Sequence, residues 1–125
     1  MKSFRISSCL VAAALALGMA SCKKKEPQAD AAQPLQQSFQ TAAPEVQKAV
    51  AVATTSLRAG NYTEATRALA PIVNQQRLTE PQKQAVGVAL QQINQAITAN
   101  PALDTKEMYE MRAKMFEAMR RGSRF

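Results

Sequence analysis

Residues 60–65 read Gly60-Asn61-Tyr62-Thr63-Glu64-Ala65 and separate two stretches of helically spaced apolar residues. The stretch before them predicts a helix that opens at Pro44, because its apolar residues recur at i, i+3, i+4, i+7 and i+11. These residues are Val46, Ala49, Val50, Ala53 and Leu57. The stretch after them predicts a second helix, one face of which carries Ala65, Ala68, Leu69, Ile72 and Val73. Gly60 is the expected stop of the first helix, and the spacing of Asn61 and Glu64 is that of a capping box.

Two further helices follow the second one. The segments at residues 79–82 and 104–107 both have capping-box spacing, the second with Asp104 as its cap and Glu107 as its third residue. Asn100-Pro101 is expected to end the third helix, and the fourth is expected to reach about Arg121. Pro71 lies inside the second helix and is expected to kink or shorten it. Four helices without any strand pattern predict an all-α domain over residues 44–125.

The Gly60–Ala65 element, followed by Leu69, resembles the helix-to-helix turn of a tetratricopeptide repeat. In that family the Gly lets the chain turn, the Tyr packs between helices and the Ala permits close helix approach. The resemblance covers residues 45–78 well and residues 79–121 loosely, since one 34-residue period beyond Gly60 falls on Asn94 with no turn motif. It implies a tetratricopeptide-like antiparallel hairpin with two more helices, used for binding proteins.

The first 21 residues have the layout of a secretory signal. Lys2 and Arg5 precede an apolar run at residues 9–20, which as a helix would be about 18 Å long. A membrane span needs about 20 such residues, so the run predicts a signal peptide rather than a transmembrane helix. A buried N-terminal helix is the alternative interpretation.

Met19-Ala20-Ser21-Cys22 resembles the lipobox of bacterial lipoproteins. The resemblance implies cleavage before Cys22, a diacylglyceryl thioether on its sulfur and acylation of the new amino terminus with a fatty acid such as palmitate. The protein would then be held in a membrane of the cell envelope by covalent lipid. Lys23 stands where an Asp often signals inner-membrane retention in this family, which favours the outer membrane.

Residues 22–43 are expected to form the lipidated start and a flexible linker. Their composition shifts to Gln, Ala and Pro, and only Leu35 and Phe39 interrupt it with large apolar side chains. A linker of about 18 residues would span roughly 20–25 Å and hold the domain clear of the lipid surface. In the alternative interpretation, Leu35 and Phe39 dock on a partner.

The amino-acid composition limits the kinds of catalytic and metal-binding sites that the domain can contain. The 125 residues include no His and no Trp, and both Cys lie within the first 22. Cys/His zinc sites, Ser-His-Asp or Cys-His catalysis and disulfide scaffolds are therefore not expected in the domain. We expect no enzyme activity, no metal and no cofactor apart from the lipid on Cys22. The net charge of +7 would suit nucleic acid, but an exported protein rarely meets it, so no nucleic-acid partner is expected.

The fourth helix offers the main candidate for partner binding. It carries a stripe of methionines, Met108, Met111, Met115 and Met119, flanked by Tyr109 and Phe116. Methionine-rich faces occur both in helix cores and at adaptable binding surfaces, and both interpretations stay open here. Arg112 projects into the same stripe, so it must pair, extend to solvent or lie at an interface. Tyr62 is a further candidate contact.

These features predict a lipid-anchored envelope protein whose helical domain is a protein-protein interaction module, an adaptor or scaffold. The protein partner is not identified by the sequence. The alternative is a self-associating structural lipoprotein, a homo-oligomer formed through the last helix that links membrane and cell wall.

Overall fold

The computed structural model describes residues 30–75 and 77–122. About 83% of these residues are helical and none is in a strand, so the predicted all-α class is confirmed. A single 3-10 turn, Pro101–Leu103, lies between the last two helices. The α-helices are α1 (Ala32–Ser38), α2 (Pro44–Ala59), α3 (Tyr62–Gln75), α4 (Glu80–Ala99) and α5 (Lys106–Arg121).

The predicted hairpin of α2 and α3 is present, and Gly60 makes its turn. Gly60 has a φ of 75°, a left-handed conformation that glycine adopts without a Cβ clash. The Asn61 side chain accepts a hydrogen bond from the Glu64 amide at 3.4 Å, as expected of an N-cap. Of the two expected effects of Pro71, shortening of α3 is wrong, because the helix continues through Pro71 to Gln75, and a kink stays a prediction.

The caps of α4 and α5 follow the predicted pattern with one correction. Thr79 and Gln82 exchange side-chain and backbone hydrogen bonds of 3.0 and 3.4 Å at the start of α4. The cap of α5 is Thr105 rather than Asp104, since the Thr105 hydroxyl accepts the Met108 amide at 3.2 Å. Asp104 lies one residue before the cap, where its carboxylate is free to pair with Arg112.

The prediction of a flexible linker up to residue 43 is wrong for the described residues. Helix α1 lies within that segment, and Leu35 and Phe39 are buried in the same core as α2 to α5. Two hydrogen bonds fix α1 along α4: the Ala31 amide donates to Gln92 Oε1 at 3.1 Å, and Gln82 Nε2 donates to the Ser38 carbonyl at 3.2 Å. The folded domain therefore begins no later than Ala31.

The helices pack around one core, with α1 and α5 on different sides of it. Helix α1 packs against α2 and α4, whereas α5 packs against α3. Helices α3 and α5 run in the same direction, since Arg67 pairs with Glu107 near their starts and Val73 and Ala118 line one cavity near their ends. Of these contacts, α1–α4 and α3–α5 join helices that are not successive in the chain, whereas α1–α2 and α2–α3 join successive ones.

Candidate functional site

Part of the predicted site lies outside the described residues. This holds for the predicted signal peptide at residues 1–21 and for Cys22, the predicted lipidation site. Within the described ranges, no group of three or more His, Cys, Asp or Glu side chains could hold a metal ion. None of the helices there combines the length and the apolar character that crossing a membrane requires.

The methionine stripe on α5 is mainly core. Met108 and Met115 are both fully buried, so the prediction that they bind a partner is wrong. Met111 and Met119 are partly buried and pack against the same core. The side of α5 that carries Met108 and Met115 is buried, and unbranched methionine side chains adapt to irregular space in a core.

Arg112 neither enters the core as a free charge nor lies at an open interface. Its Nη1 donates to Asn94 Oδ1 on α4, and its Nη2 donates to Asp104 Oδ1 before α5. The side chain is 14% exposed, and Nε is buried without a hydrogen-bond partner. Arg112 thus connects α5 to α4 and to the turn before α5, a structural role that makes it a poor candidate for partner contact.

An ion pair and a hydrogen bond to a backbone carbonyl join α5 to its neighbours at two other points. Glu107 accepts hydrogen bonds from Arg67 Nη2 at 2.8 Å and Nε at 3.2 Å, which raises the pKa of the Arg67 guanidinium. At the opposite end, Lys83 Nζ on α4 contacts the Glu80 carboxylate at 2.7 Å and the Gly122 carbonyl at 3.0 Å. Helix α5 is therefore held along its length, so its outer face has a fixed orientation.

Tyr62 packs where the sequence predicts, at the hairpin of α2 and α3. Its side chain is partly buried against the core, and its backbone carbonyl accepts the Thr66 hydroxyl at 2.7 Å. It borders a cavity of about 420 Å³ that Asp30 and Arg58 also line. Met119 instead lines a cavity at the opposite end of α3, so the structure does not bring Tyr62 and Met119 into one site.

Another opening lies at the other end of the bundle, and we call it the end groove. Its volume is about 620 Å³, and it is bounded by the ends of α3 and α5 and the start of α4. Val73, Leu78, Ala118 and Met119 supply apolar lining. Arg77, Lys83 and Arg121 also line it, against one carboxylate, that of Glu80. The groove combines an apolar wall with positive charge.

The outer face of α5 carries a second surface that the sequence reading did not separate from the methionine stripe. Tyr109 is 63% exposed and Phe116 is 43% exposed. With Lys106, Ala113 and Arg120 they form a row of exposed residues at alternating spacings of three and four, which we call the outer row. That spacing is the heptad signal, and it could have been read from the sequence.

Comparisons with protein families, with curated proteins and with solved structures each give no significant match.

Proposed function

We propose that the protein is a lipid-anchored component of the bacterial cell envelope that serves as a protein-protein interaction module. Cys22 would carry the lipid, and the end groove would receive a segment of a partner protein. The observation that carries the proposal is the groove itself, which is open, partly apolar and positively charged. The lipobox-like residues before Cys22 support the anchor, and Lys23 favours the outer membrane.

The corrected start of the domain limits its distance from the membrane. Eight residue steps separate Cys22 from Asp30, so the chain between them can span at most about 29 Å. Asp30 lies beside Gly60 and Tyr62, at the start of α3. The end groove lies at the other end of α3, a helix of 14 residues and so about 20 Å long. A domain held at Asp30 can therefore present the groove away from the lipid surface.

The lining of the end groove indicates the chemistry of the partner segment. Arg77 is exposed at its edge, and Leu78 and Met119 are partly buried in its wall. A segment with acidic side chains and one or two apolar ones would match both properties, by ion pairing at the edge and by apolar burial within. Because Met is adaptable, the wall could accept apolar side chains of different shapes.

The anchor is tested by lipid labelling in cells. An alkyne analogue of palmitate should label the wild-type protein and a Cys9→Ala variant but not a Cys22→Ala variant. Cys9 is the matched control, because it is the other cysteine of the chain and lies in the apolar run before the expected cleavage point. Label that survives Cys22→Ala would exclude this anchor.

The groove is tested by crosslinking and capture of the tagged full-length protein in its own cells. Arg77→Glu should lose the captured partner at least tenfold, whereas Arg58→Glu should keep it. The two variants make the same charge change on exposed arginines, one at the end groove and one beside Tyr62 at the opposite end. Equal capture by both variants would place the partner elsewhere, and capture of cell-wall material alone would refute the adaptor proposal.

A self-associating structural lipoprotein that links membrane and cell wall is the second candidate. The outer row of α5 favours it, because heptad spacing is typical of helices that pair with other helices.

A further inference from the structure

The two aromatic residues of the outer row lie on the edge of α5 that is nearer to α4. Tyr109 and Phe116 stand three residues before and four residues after Arg112, so the three side chains share one side of the helix. Arg112 Nη1 donates to Asn94 Oδ1 on α4, which fixes the direction in which that side faces. Both aromatic side chains remain exposed nevertheless. They are placed beside α4 without being covered by it.

Helix α4 leaves open space on its side towards α5. Lys83, Gly87 and Asn94 follow one another at spacings of four and seven residues, so they lie on one row of α4. Lys83 bonds to the residue directly after α5, and Asn94 bonds to α5 itself. A Cβ added at Gly87, between these two contacts, would meet nothing within 4 Å. We call the space between α4 and α5 at Gly87 and Phe116 the α4–α5 cleft.

The charged side chains around the two aromatic rings are positive. Of the residues three or four positions away from either ring along the chain, three are cations and none is a carboxylate. The cations are Lys106, Arg112 and Arg120. Asp104 pairs with Arg112, which leaves Lys106 and Arg120, both exposed, at the two ends of the outer row. An aromatic surface with a cation at each end is complementary to an apolar partner that carries carboxylates.

A second copy of the chain does not supply carboxylates at these two ends. In a parallel pair of α5 helices in register, Lys106 would meet Lys106 and Arg120 would meet Arg120. In an antiparallel pair centred on Ala113, Lys106 would meet Arg120 in both halves. Each arrangement brings like charges together, which is unfavourable. The heptad spacing of the row therefore suits a helical partner, but its charges favour a different protein over a second copy.

The distance between the two rings fits a helical partner. Tyr109 and Phe116 are seven residues apart, which is about 10.5 Å along the axis of α5 and two turns of any helix that lies beside it. Ala113 between them is small, so a partner helix can approach closely there. The whole row spans about 21 Å, which is the length of about four turns.

We infer that the outer row and the α4–α5 cleft together bind an amphipathic helix of another protein, one that carries carboxylates beside its apolar stripe. The apolar stripe would contact Tyr109 and Phe116 and come closest to α4 at Gly87. The carboxylates would pair with Lys106 and Arg120. No residue of the outer row lines the end groove, so the inference goes beyond the function proposed above and requires neither the groove nor the lipid anchor.

The cation at the start of the row is available for such pairing. Lys106 is 89% exposed, and its contact with Glu110 on the same helix is long, at 3.8 Å. Ion pairs between exposed side chains of a helix contribute little to stability. Little is therefore lost when Lys106 turns towards a carboxylate of the partner.

The test is binding of synthetic helical peptides to the purified full-length chain. The acidic probe has three heptads with Leu at positions a and d and Glu at e and g, and the matched basic probe has Lys at e and g. Like charges at e and g keep each peptide from pairing with itself. Fluorescence anisotropy of the labelled peptides should give about tenfold tighter binding of the acidic probe. Equal affinities, or no binding of the acidic probe, would overturn the inference.

Two variants test where the acidic probe binds. Phe116→Ala removes an aromatic contact and Gly87→Met fills the cleft, so each should weaken binding about tenfold. Val52→Ala is the control, because Val52 is also a large apolar residue exposed to solvent but lies on α2, and it should leave binding unchanged. Circular dichroism shows whether each variant is folded. Unchanged binding in a folded Phe116→Ala or Gly87→Met variant would refute the site.

Charge reversal separates the outer row from the end groove. Arg120→Glu should weaken binding of the acidic probe about tenfold and strengthen binding of the basic one. Arg77→Glu, the same change at the end groove, should alter neither. Equal effects of the two variants would mean that the probe responds to net charge alone and would overturn the inference. Capture at the end groove depends on Arg77 instead, so failure of the outer row and failure of the proposed function are distinguishable.

An anionic membrane surface is the competing occupant of the outer row. Vesicles of phosphatidylglycerol and phosphatidylcholine test it, because a flat lipid surface would use the aromatic residues and the cations but would not enter the cleft. We expect Phe116→Ala to leave retention of the chain on these vesicles unchanged. Loss of retention in this variant would assign the row to lipid and overturn the inference.

Discussion

Helices α1 and α5 have opposite relations between their composition and their burial. Helix α1 lies in a stretch of Gln, Ala and Pro, yet it places Leu35 and the adjoining Phe39 in the core with 2% exposure or less. Helix α5 has six methionine or aromatic residues, yet Tyr109 and Phe116 remain exposed. Whether a side chain is buried therefore depends on the side of the helix on which it lies. The number of apolar residues in a segment is a poor guide to burial.

The two helices also differ in how they meet α4. Helix α1 lies close along α4 and is joined to it through backbone groups at Ala31 and Ser38. Helices α5 and α4 are joined by two long side chains: Arg112 of α5 reaches Asn94, and Lys83 of α4 reaches the Gly122 carbonyl after α5. A close contact made with backbone groups and apolar side chains tolerates little change, whereas one made by long side chains can adjust. Substitutions in α1 should therefore cost more than those on the α4 side of α5.

The strongest test of this difference is Phe39→Ala. Phe39 is 2% exposed and is among the largest buried side chains, so its truncation should lower the free energy of unfolding by about 3–5 kcal/mol. Urea unfolding followed by circular dichroism measures the change. Gln36→Ala is the control, because Gln36 is exposed near the same end of α1, and it should change stability by less than about 0.5 kcal/mol. Equal, small effects of the two variants would mean that this segment is a linker and does not pack in the core.

The sequence predicts most of α2 to α5 because each has a long apolar face and a recognisable start or stop. The reciprocal cap of Thr79 and Gln82 and the left-handed Gly60 could both be read from local residue types. The sequence does not predict α1, because the helix has only seven residues and a single large apolar side chain, Leu35, with Phe39 directly after its end. The spacing of Ala31, Leu35 and Phe39 is i, i+4 and i+8, a helical signal that alanine made easy to overlook.

The site was less predictable than the fold, for a physical reason. Periodicity shows that Met108, Met111, Met115 and Met119 share one face, but it does not show whether that face meets α3 or solvent. Only the packing of α5 on α3 decides it. The end groove is formed by two chain segments that are distant in sequence, one around the α3–α4 connection and one at the end of α5, so no local pattern could have predicted it.

Two neighbouring residues of α5 allow a buried and an exposed position to be compared on the same helix. Met115 is fully buried, so Met115→Ala should lower the free energy of unfolding by about 2–4 kcal/mol. Phe116 is partly exposed, and Phe116→Ala should change it by about 0.5 kcal/mol or less in dilute, monomeric protein. Chemical unfolding of both variants under one set of conditions makes the comparison. If Phe116→Ala were the more costly, the assigned orientation of α5 would be wrong.

Arg112 tests the contact between α5 and α4. Arg112→Ala removes the hydrogen bonds to Asn94 and Asp104 and should cost about 1–3 kcal/mol of stability. Arg112→Lys keeps the charge but cannot donate in two directions from a planar group, so it should recover only part of this loss. Thermal and urea unfolding measure both. Full recovery by lysine would mean that charge alone, without the bridging geometry, holds the two helices together.

Substitution of Gly87 should have the smallest effect on the free energy of unfolding, and it should raise stability where the other variants lower it. It lies inside α4 on the row shared by Lys83 and Asn94, the side from which both reach α5. A Cβ built at Gly87 meets nothing within 4 Å, whereas Gly60 has a φ of 75°. Gly87→Ala should therefore stabilise the protein by about 0.5–1 kcal/mol, because alanine loses less backbone entropy in a helix.

The matched change Gly60→Ala should destabilise the protein by about 1 kcal/mol, because alanine is strained in the left-handed conformation. The two variants add the same methyl group, so their difference in unfolding free energy isolates the backbone and the space around each site. A loss of stability in Gly87→Ala would mean that α5 packs on α4 as closely as α1 does, with no room for a methyl group between them. The proposed difference between the α1–α4 and α5–α4 contacts would then be wrong, because it requires open space at Gly87 between α4 and α5.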